Sequence, residues 1–333
     1  MAPSTRSGGG GGGKRAKAEG FFTGKDVITV DSLEVDGVNR LLALAAELHA
    51  DRVKNLAQLG RGKIVSLAFL EPSTRTCCSF SAAAQRLGCG VIYTNATESS
   101  VTKGETLVDT ARCLASYADC IVLRHPKHGA AKEAAEASAK PIINAGDGTG
   151  EHPTQALLDL YTILRHFQAI SPTRKLRVTF LGDAKNGRTV HSLVKLLAKM
   201  LPGQVEVKYV TPQQLQMPDE VTQPLTGVID QSSHVGMTDE ILHNTDVLYV
   251  TRVQKERFVD LAAYQDAMKN SFVVDPAVMA KLHDKAVVMH PLPRVDEISP
   301  LVDTDPRALY FEQMENGMFV RMALLAMVLG VLE

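Results

Sequence analysis

The sequence predicts an α/β protein of two doubly wound, parallel-sheet domains joined by interdomain helices. Three observations carry this. From about residue 22 the chain alternates between apolar residues at helical spacing and short, nearly continuous apolar runs. Runs of the second kind fit strands covered on both faces, and strands alternating with helices give parallel sheets with right-handed crossovers. The chain has 333 residues and 45% apolar content, enough for about two domains with cores of their own. No short-period repeat of the solenoid kind is present.

In order, Val38, Leu41, Leu42, Ala45 and Leu48 recur at helical spacing, and Ile64 to Leu70 is an apolar run expected to be a covered strand. Cys77 to Leu87 is helical, with Phe80, Ala84 and Leu87 on one face. Short strands are expected at Val91–Tyr93 and Ile121–Leu123, with a helix between them marked by Leu107, Ala111, Leu114 and Ala118. Thr102 and Glu105 have capping-box spacing at its start. A helix at Gly129 to Ala139 and a strand at Pro141 to Asn144 complete the first half. A long helix then begins near Pro153, which suits an early helical position, and buries Leu157, Leu160, Tyr161 and Leu164. Strands follow at Leu176–Leu181, Val205–Val210, Asp246–Val250 and Ala286–Met289, with a helix through Val190, Leu193, Leu197 and Met200. The hinge is expected near residues 150 to 170.

Composition excludes several classes. The net formal charge is -1, so nothing in bulk pulls the chain to nucleic acid or an anionic membrane, and anion binding must come from local Arg and Lys clusters. Cys77, Cys78, Cys89, Cys113 and Cys120 have no C-x-x-C spacing and read as buried free thiols in a reducing compartment. Residues 1–21 hold the unbroken run Gly8–Gly13 followed by Lys14, Arg15 and Lys17, and are expected to be a disordered tail without a secretory signal. The tail's origin stays open between a processed leader, a linker and an engineered addition. Met318 to Leu332 is apolar apart from Arg321, too short for a typical span, and fits a helix buried between domains.

The sharpest motif is Phe69-Leu70-Glu71-Pro72-Ser73-Thr74-Arg75-Thr76, a strand broken by Pro72 that runs into a helix. Free N–H groups and the positive end of the helix dipole favour an anion there, and Arg75 adds a planar fork matched to phosphate. Capping alone would not require Arg75, whose charge is unfavourable at a helix N-terminus. A second cluster, Asn144 through Gln155, leads three glycines from a strand into a helix. Ligands of parallel sheets bind at that end, and His152 and Gln155 can face one crevice and together hydrogen-bond a carbonyl oxygen. Ser99 through Thr106 is either a solvated loop or a mobile one delivering Lys103 to an anion, and Arg124 is a strand-end arginine of the salt-bridging kind. In the second half, Arg188, Arg252 and Arg294 follow successive strands and together look like a pocket for a carboxylate-rich substrate, with Gln254 beside Arg252. G-x-G-x-x-G, H-E-x-x-H, G-x-S-x-G and the P-loop are absent, so a nicotinamide dehydrogenase is poorly supported, and no metal or cofactor is expected.

The ordered set Ser73-Thr74-Arg75-Thr76, Lys103-Gly104-Glu105-Thr106, Arg124-His125-Pro126, His152-Pro153-Thr154-Gln155, Gly187-Arg188-Thr189, Thr251-Arg252-Val253-Gln254 and His290-Pro291-Leu292-Pro293-Arg294 resembles the aspartate carbamoyltransferases, within the aspartate/ornithine carbamoyltransferase superfamily. The likeness runs from about residue 25 to the end. Asp305 through Met318 is similar too, especially to eukaryotic catalytic domains. The resemblance implies a carbamoyl-phosphate-binding domain over 22–168, an aspartate-binding domain over 169–308, and a C-terminal helix over 309–333 packed back on the first. By that likeness Ser73, Thr74, Arg75, Thr76 and Arg124 hold the phosphate. Thr76, Arg124, His152 and Gln155 address the carbamoyl group, and Arg188, Arg252 and Gln254 hold the aspartate carboxylates. The backbone of Pro291 and Leu292 lies nearby, and Ser99 and Lys103 come from the neighbouring subunit of a homotrimer with shared sites. Glu71, Glu256, Arg257 and Arg294 orient the arginines. One departure is Cys77-Cys78, where the family often has a bulky or basic pair.

The implied reaction transfers the carbamoyl group of carbamoyl phosphate to L-aspartate, an early step of pyrimidine biosynthesis. The implied setting is cytoplasmic, in association with other enzymes of that pathway. Ornithine carbamoyltransferase is the near rival, but its His-Cys-Leu-Pro pattern is replaced here by His290-Pro291-Leu292-Pro293. A non-catalytic phosphometabolite-binding subunit is the rival from another class, and it would not need His152, Gln155 and Lys103 together.

Overall fold

The computed structural model describes residues 20–97, 99–167, 174–253, 260, 262, 264–265 and 272–333. The first half forms a four-stranded parallel sheet ordered β2-β1-β3-β4, from β1 (Ile64–Phe69), β2 (Gly90–Asn95), β3 (Cys120–His125) and β4 (Ile142–Asp147). The second half forms a five-stranded parallel sheet ordered β7-β6-β5-β8-β9, from β5 (Leu176–Leu181), β6 (Val205–Val210), β7 (Asp230–His234), β8 (Val247–Val250) and β9 (Val287–Met289). The helices are α1 (Val35–His49), α2 (Leu56–Leu59), α3 (Thr74–Arg86), α4 (Leu107–Tyr117), α5 (Ala130–Ala137), α6 (Pro153–His166), α7 (Arg188–Met200), α8 (Asp219–Thr222), α9 (Asp239–His243), α10 (Pro276–Lys281) and α11 (Tyr310–Val328). The two-domain α/β architecture read from the sequence is therefore present.

Two local expectations are corrected. The strand β7 was not foreseen: its sequence Asp-Gln-Ser-Ser-His has no apolar period, because among the described residues it lies at an edge, pairs only with β6 and has no buried residue. The capping box is not Thr102 with Glu105. Thr102 lies in a 3-10 turn, Ser100–Lys103, which ends at Gly104 with φ 91°. Helix α4 starts later, and Thr106 caps it by accepting from the Asp109 N–H at 3.1 Å.

One apolar cluster runs from the first sheet to the second. It includes Val65, Leu67 and Phe69 of β1, Leu157 and Leu160 of α6, Val178 and Phe180 of β5, and Leu324 and Leu325 of α11. Each such fully buried side chain contributes roughly 1.5–3 kcal/mol of transfer free energy. Helix α11 packs against α1, α3 and α6, and α6 packs against α7 of the second half. A helix apolar on all sides belongs in a core, and Val320–Val328 is buried throughout. At its crossing with α6 the backbones approach closely: a Cβ on Gly317 would come within 2.9 Å of the Leu158 side chain. Among the described residues no helix is long and apolar enough to cross a membrane.

Candidate functional site

A cleft of about 540 Å³ opens where the carboxyl ends of both sheets face each other. Its first wall is the turn from β1 into α3. Ser73 is the N-cap of α3 with extended backbone (φ -161°, ψ 103°), and its hydroxyl makes no capping bond. That hydroxyl and the side chains of Thr74, Arg75 and Thr76 line the cleft at a helix terminus with no acidic residue in its first turn. An anion is favoured there by the unpaired N–H groups and the dipole. Burial lowers the pKa of Arg75.

Arg124, at the end of β3, lines the same wall. Burial, then Arg188 and Arg75, push its pKa down to about 10 against the opposing pull of Glu71, so it remains a cation at neutral pH. Its Nε lies 3.0 Å from Glu71 Oε2, and its Nη1 donates to the Ala145 carbonyl at 3.2 Å. Arg188, the first residue of α7, reaches across the cleft. Its Nη2 donates to the same Glu71 oxygen at 3.0 Å and its Nη1 to the Gly148 carbonyl at 2.6 Å. Gly146 makes room for both guanidinium groups. At φ 112°, a Cβ there would stand 3.0 Å from Arg124 Nη1 and 3.1 Å from Arg188 Cζ.

His152 is the N-cap of α6, and its main-chain N–H donates to Ser192 Oγ of α7 at 2.9 Å. Burial first, then Arg124, Arg321 and Arg188, hold its pKa well below 6.5. The imidazole is therefore neutral at neutral pH and can donate one hydrogen bond without adding charge. The unfolded chain takes up this proton near pH 6.5 and the folded chain does not. The contribution of His152 to stability is thus present above about pH 6.5 and lost as pH falls below it, by up to about 1.4 kcal/mol per unit. His152→Gln should flatten the acid decline of Tm measured by calorimetry between about pH 6.5 and 5.

Gln155, Arg252, Pro291 and Leu292 also line the cleft. The loop after β9 is held by His290, which accepts from the Leu292 N–H at 2.7 Å through Nδ1. Its other nitrogen, Nε2, therefore donates to Glu297 Oε1 at 2.8 Å. Leu292 sits at φ 54° and precedes a cis peptide bond to Pro293.

Not every expected residue arrives. Arg294 is not a lining residue: its Nη2 donates to Asp303 Oδ2 at 2.6 Å, its Nη1 to the Tyr310 hydroxyl at 3.1 Å, and it stacks 5.4 Å over the Tyr310 ring. Of the three strand-end arginines, then, the structure brings Arg188 and Arg252 together and turns Arg294 to support Tyr310. Ser99 and the exposed Lys103 also lie outside the cleft of their own chain. Gln254, Glu256 and Arg257 fall outside the described residues. Among the polar lining residues that the sequence reading missed are Ser79, Asn186, Gln313 and Arg321. Arg321 had a visible signal, as the charge interrupting an apolar helix. It is buried, donates to Ser79 Oγ at 3.0 Å, lies 5.2 Å over the Phe80 ring, and is pushed by burial to a pKa of about 10. Among the described residues no three His, Cys, Asp or Glu side chains converge as metal ligands.

Two family models match the chain. The carbamoyl-P binding domain of aspartate/ornithine carbamoyltransferase matches residues 25–165, and the Asp/Orn binding domain matches residues 174–328. The chain is 47% identical over 316 residues to the multifunctional protein pyr1-3 of Dictyostelium discoideum, covering 94% of this chain and 14% of that protein. It is 46% identical over 319 residues to the aspartate carbamoyltransferase catalytic subunit of Thermococcus onnurineus, covering 94% of this chain and 99% of that subunit. The chain thus spans about 14% of the length of the multifunctional relatives it matches. Among solved structures it is similar to the aspartate transcarbamoylase of Trypanosoma cruzi in complex with carbamoyl phosphate and aspartate. The TM-score is 0.85 at 44% identity, over 92% of this chain and 98% of that one.

Proposed function

From the premise that this chain belongs to the aspartate/ornithine carbamoyltransferase family, we propose that it transfers the carbamoyl group of carbamoyl phosphate to the amine of L-aspartate. The observation that carries this reading is the convergence in one cleft of two cationic groups, Ser73–Thr76 with Arg124 from the first half and Arg188 with Arg252 from the second. The first suits a phosphate and the second a dicarboxylate, and a second cationic subsite disfavours the ammonium tail of ornithine. Residues 22–168 then bind carbamoyl phosphate and 169–308 bind aspartate, with the helix of 309–333 returning to the first unit.

The neutral amine of aspartate attacks the carbonyl carbon and a tetrahedral oxyanion forms. The bond from that carbon to the phosphate oxygen then breaks, and the proton shed by the amine leaves with the phosphate. Carbamoyl phosphate is an activated mixed anhydride, so the protein's work is orientation and charge stabilisation. Arg75, Thr76 and neutral His152 stabilise the oxyanion, and Arg75 with Lys103 neutralises charge on the departing phosphate. Incubation with carbamoyl phosphate and either L-aspartate or L-ornithine should give a ureido product with aspartate alone. Product with ornithine alone, or with neither, overturns the reading.

Ser99 and Lys103 are assigned to the site of a neighbouring copy in a homotrimer, which accounts for their distance from the cleft of their own chain. Lys103→Ala and Arg188→Ala proteins should each be nearly inactive. Mixed and reassembled, they should regain part of the wild-type rate, because some sites then carry neither substitution. The five cysteines are free, although Cys78 and Cys113 are exposed and not buried as expected, and they fit a reducing, cytoplasmic setting. The multifunctional relatives support association with other pyrimidine-pathway enzymes.

A further inference from the structure

Asp159 lies on α6, fully buried, one turn beyond Gln155. Its carboxylate accepts three side-chain donors: Oδ1 from Gln155 Nε2 at 2.9 Å and Gln313 Nε2 at 2.6 Å, and Oδ2 from the Tyr249 hydroxyl at 2.7 Å. These partners come from three elements, α6, α11 and β8, that meet beneath the cleft. The direction of both amides follows from one main-chain group. The His290 N–H donates to Gln313 Oε1 at 2.9 Å. A main-chain N–H can only donate, so Gln313 must show its oxygen to His290 and its amino group to Asp159. An ionised carboxylate is acceptor-only, so the Gln155 atom facing it must also be the amino nitrogen. The Gln155 oxygen is then the atom left for the cleft, which Gln155 lines.

We propose that Asp159 is a positioning residue that fixes the Gln155 amide with its oxygen toward the substrate, so that Gln155 accepts from the amino group of carbamoyl phosphate and excludes acyl phosphates lacking one. This rests on the function proposed above and sharpens it. The carbonyl oxygen is left to His152, Thr76 and the arginines, and Gln155 no longer serves as a second donor to it. Burial pushes the Asp159 carboxyl up to about 7, opposed by Tyr249, Gln313, Gln155 and Arg321. An assay near pH 8 therefore keeps it in the acceptor form.

The test compares wild type, D159V, D159N and Y249F near pH 8. It measures the KM for carbamoyl phosphate and the inhibition constants of inorganic phosphate and of acetyl phosphate, which carries a methyl in place of the amine. D159V should weaken carbamoyl phosphate about tenfold, the order expected for one lost hydrogen bond, while phosphate changes by less than about twofold. The preference for carbamoyl over acetyl phosphate should then collapse. D159N should restore it, since an Asn oxygen can serve both glutamines while its amino group faces the Tyr249 oxygen. Y249F, which removes the donor to Oδ2 and the contact with Thr189 but leaves both glutamines on Oδ1, should leave all three constants within about threefold. Should D159V not fold, D159L, nearly isosteric with Asp and likewise without an acceptor, carries the same expectation. Unchanged preference in D159V or D159L, equal weakening of all three constants, or the same loss in Y249F would overturn the proposal. A wild-type protein that makes no N-carbamoyl-L-aspartate would fail the functional reading instead. Calorimetric binding of carbamoyl and acetyl phosphate to the same variants then still decides the role of Asp159.

Discussion

Arg75→Ala should lower kcat by about two to three orders of magnitude, the cost typical of removing one preorganised donor to developing charge. Arg75 stands in the first turn of α3, where the Ser73 hydroxyl makes no capping bond and no carboxylate in that turn competes for the guanidinium. An arginine in that position opposes the helix dipole, so its place there is explained by a ligand and not by the helix. Both the phosphate oxygens and the oxyanion lie within its reach in the proposed mechanism. The inhibition constant of inorganic phosphate should therefore rise as well, but by less than kcat falls, because charge on the bridging oxygen grows only during transfer. Steady-state kinetics with both constants checks this, and near-normal turnover in the variant would remove Arg75 from the mechanism.

Arg188→Ala is the second large effect, and it should appear in the other substrate. Truncating one partner of a buried charge pair costs roughly 2–5 kcal/mol, or about thirty-fold to several-thousand-fold in kcat/KM for aspartate. Inhibition by phosphate should stay within about threefold, since the α3 terminus is untouched. Among the described residues the substitution also leaves Glu71 paired with Arg124 alone. Glu71→Gln should thus weaken aspartate less than Arg188→Ala does, because it loosens the arginine without deleting it. Equal losses for both substrates in Arg188→Ala would mean that the residue holds the walls together and does not bind the dicarboxylate.

The sheets were legible because central strands such as β1, β3 and β8 are covered on both faces and so read as continuous apolar runs. Strand β7 was illegible for the opposite reason: a polar edge has no period to detect. The start of α4 was misplaced because Thr102 and Thr106 both offer a plausible cap, and only the turn at Gly104 decides between them. In the site, the α3 terminus, His152, Gln155, Arg188 and Arg252 could be read as local motifs. Asp159 could not. With Gln155 it makes an ordinary one-turn helical pair, and its other partners, Tyr249 and Gln313, lie 90 and 154 residues away. The placement of Arg294 was hidden in the same way, since nothing near it in sequence announces Asp303 and Tyr310 as its partners.

The position of α11 also constrains the order in which the chain can acquire its structure during synthesis. Strands β1 to β4 and helices α1, α3 and α6 emerge first, yet the surface they bury is supplied by residues 310–328. Until those residues leave the ribosome, the amino-terminal half carries an open apolar face instead of a finished core. Stepwise, domain-by-domain folding from the N-terminus, the usual course for multidomain chains, is therefore interrupted here, and a nascent chain paused in the second half should be a substrate for chaperones.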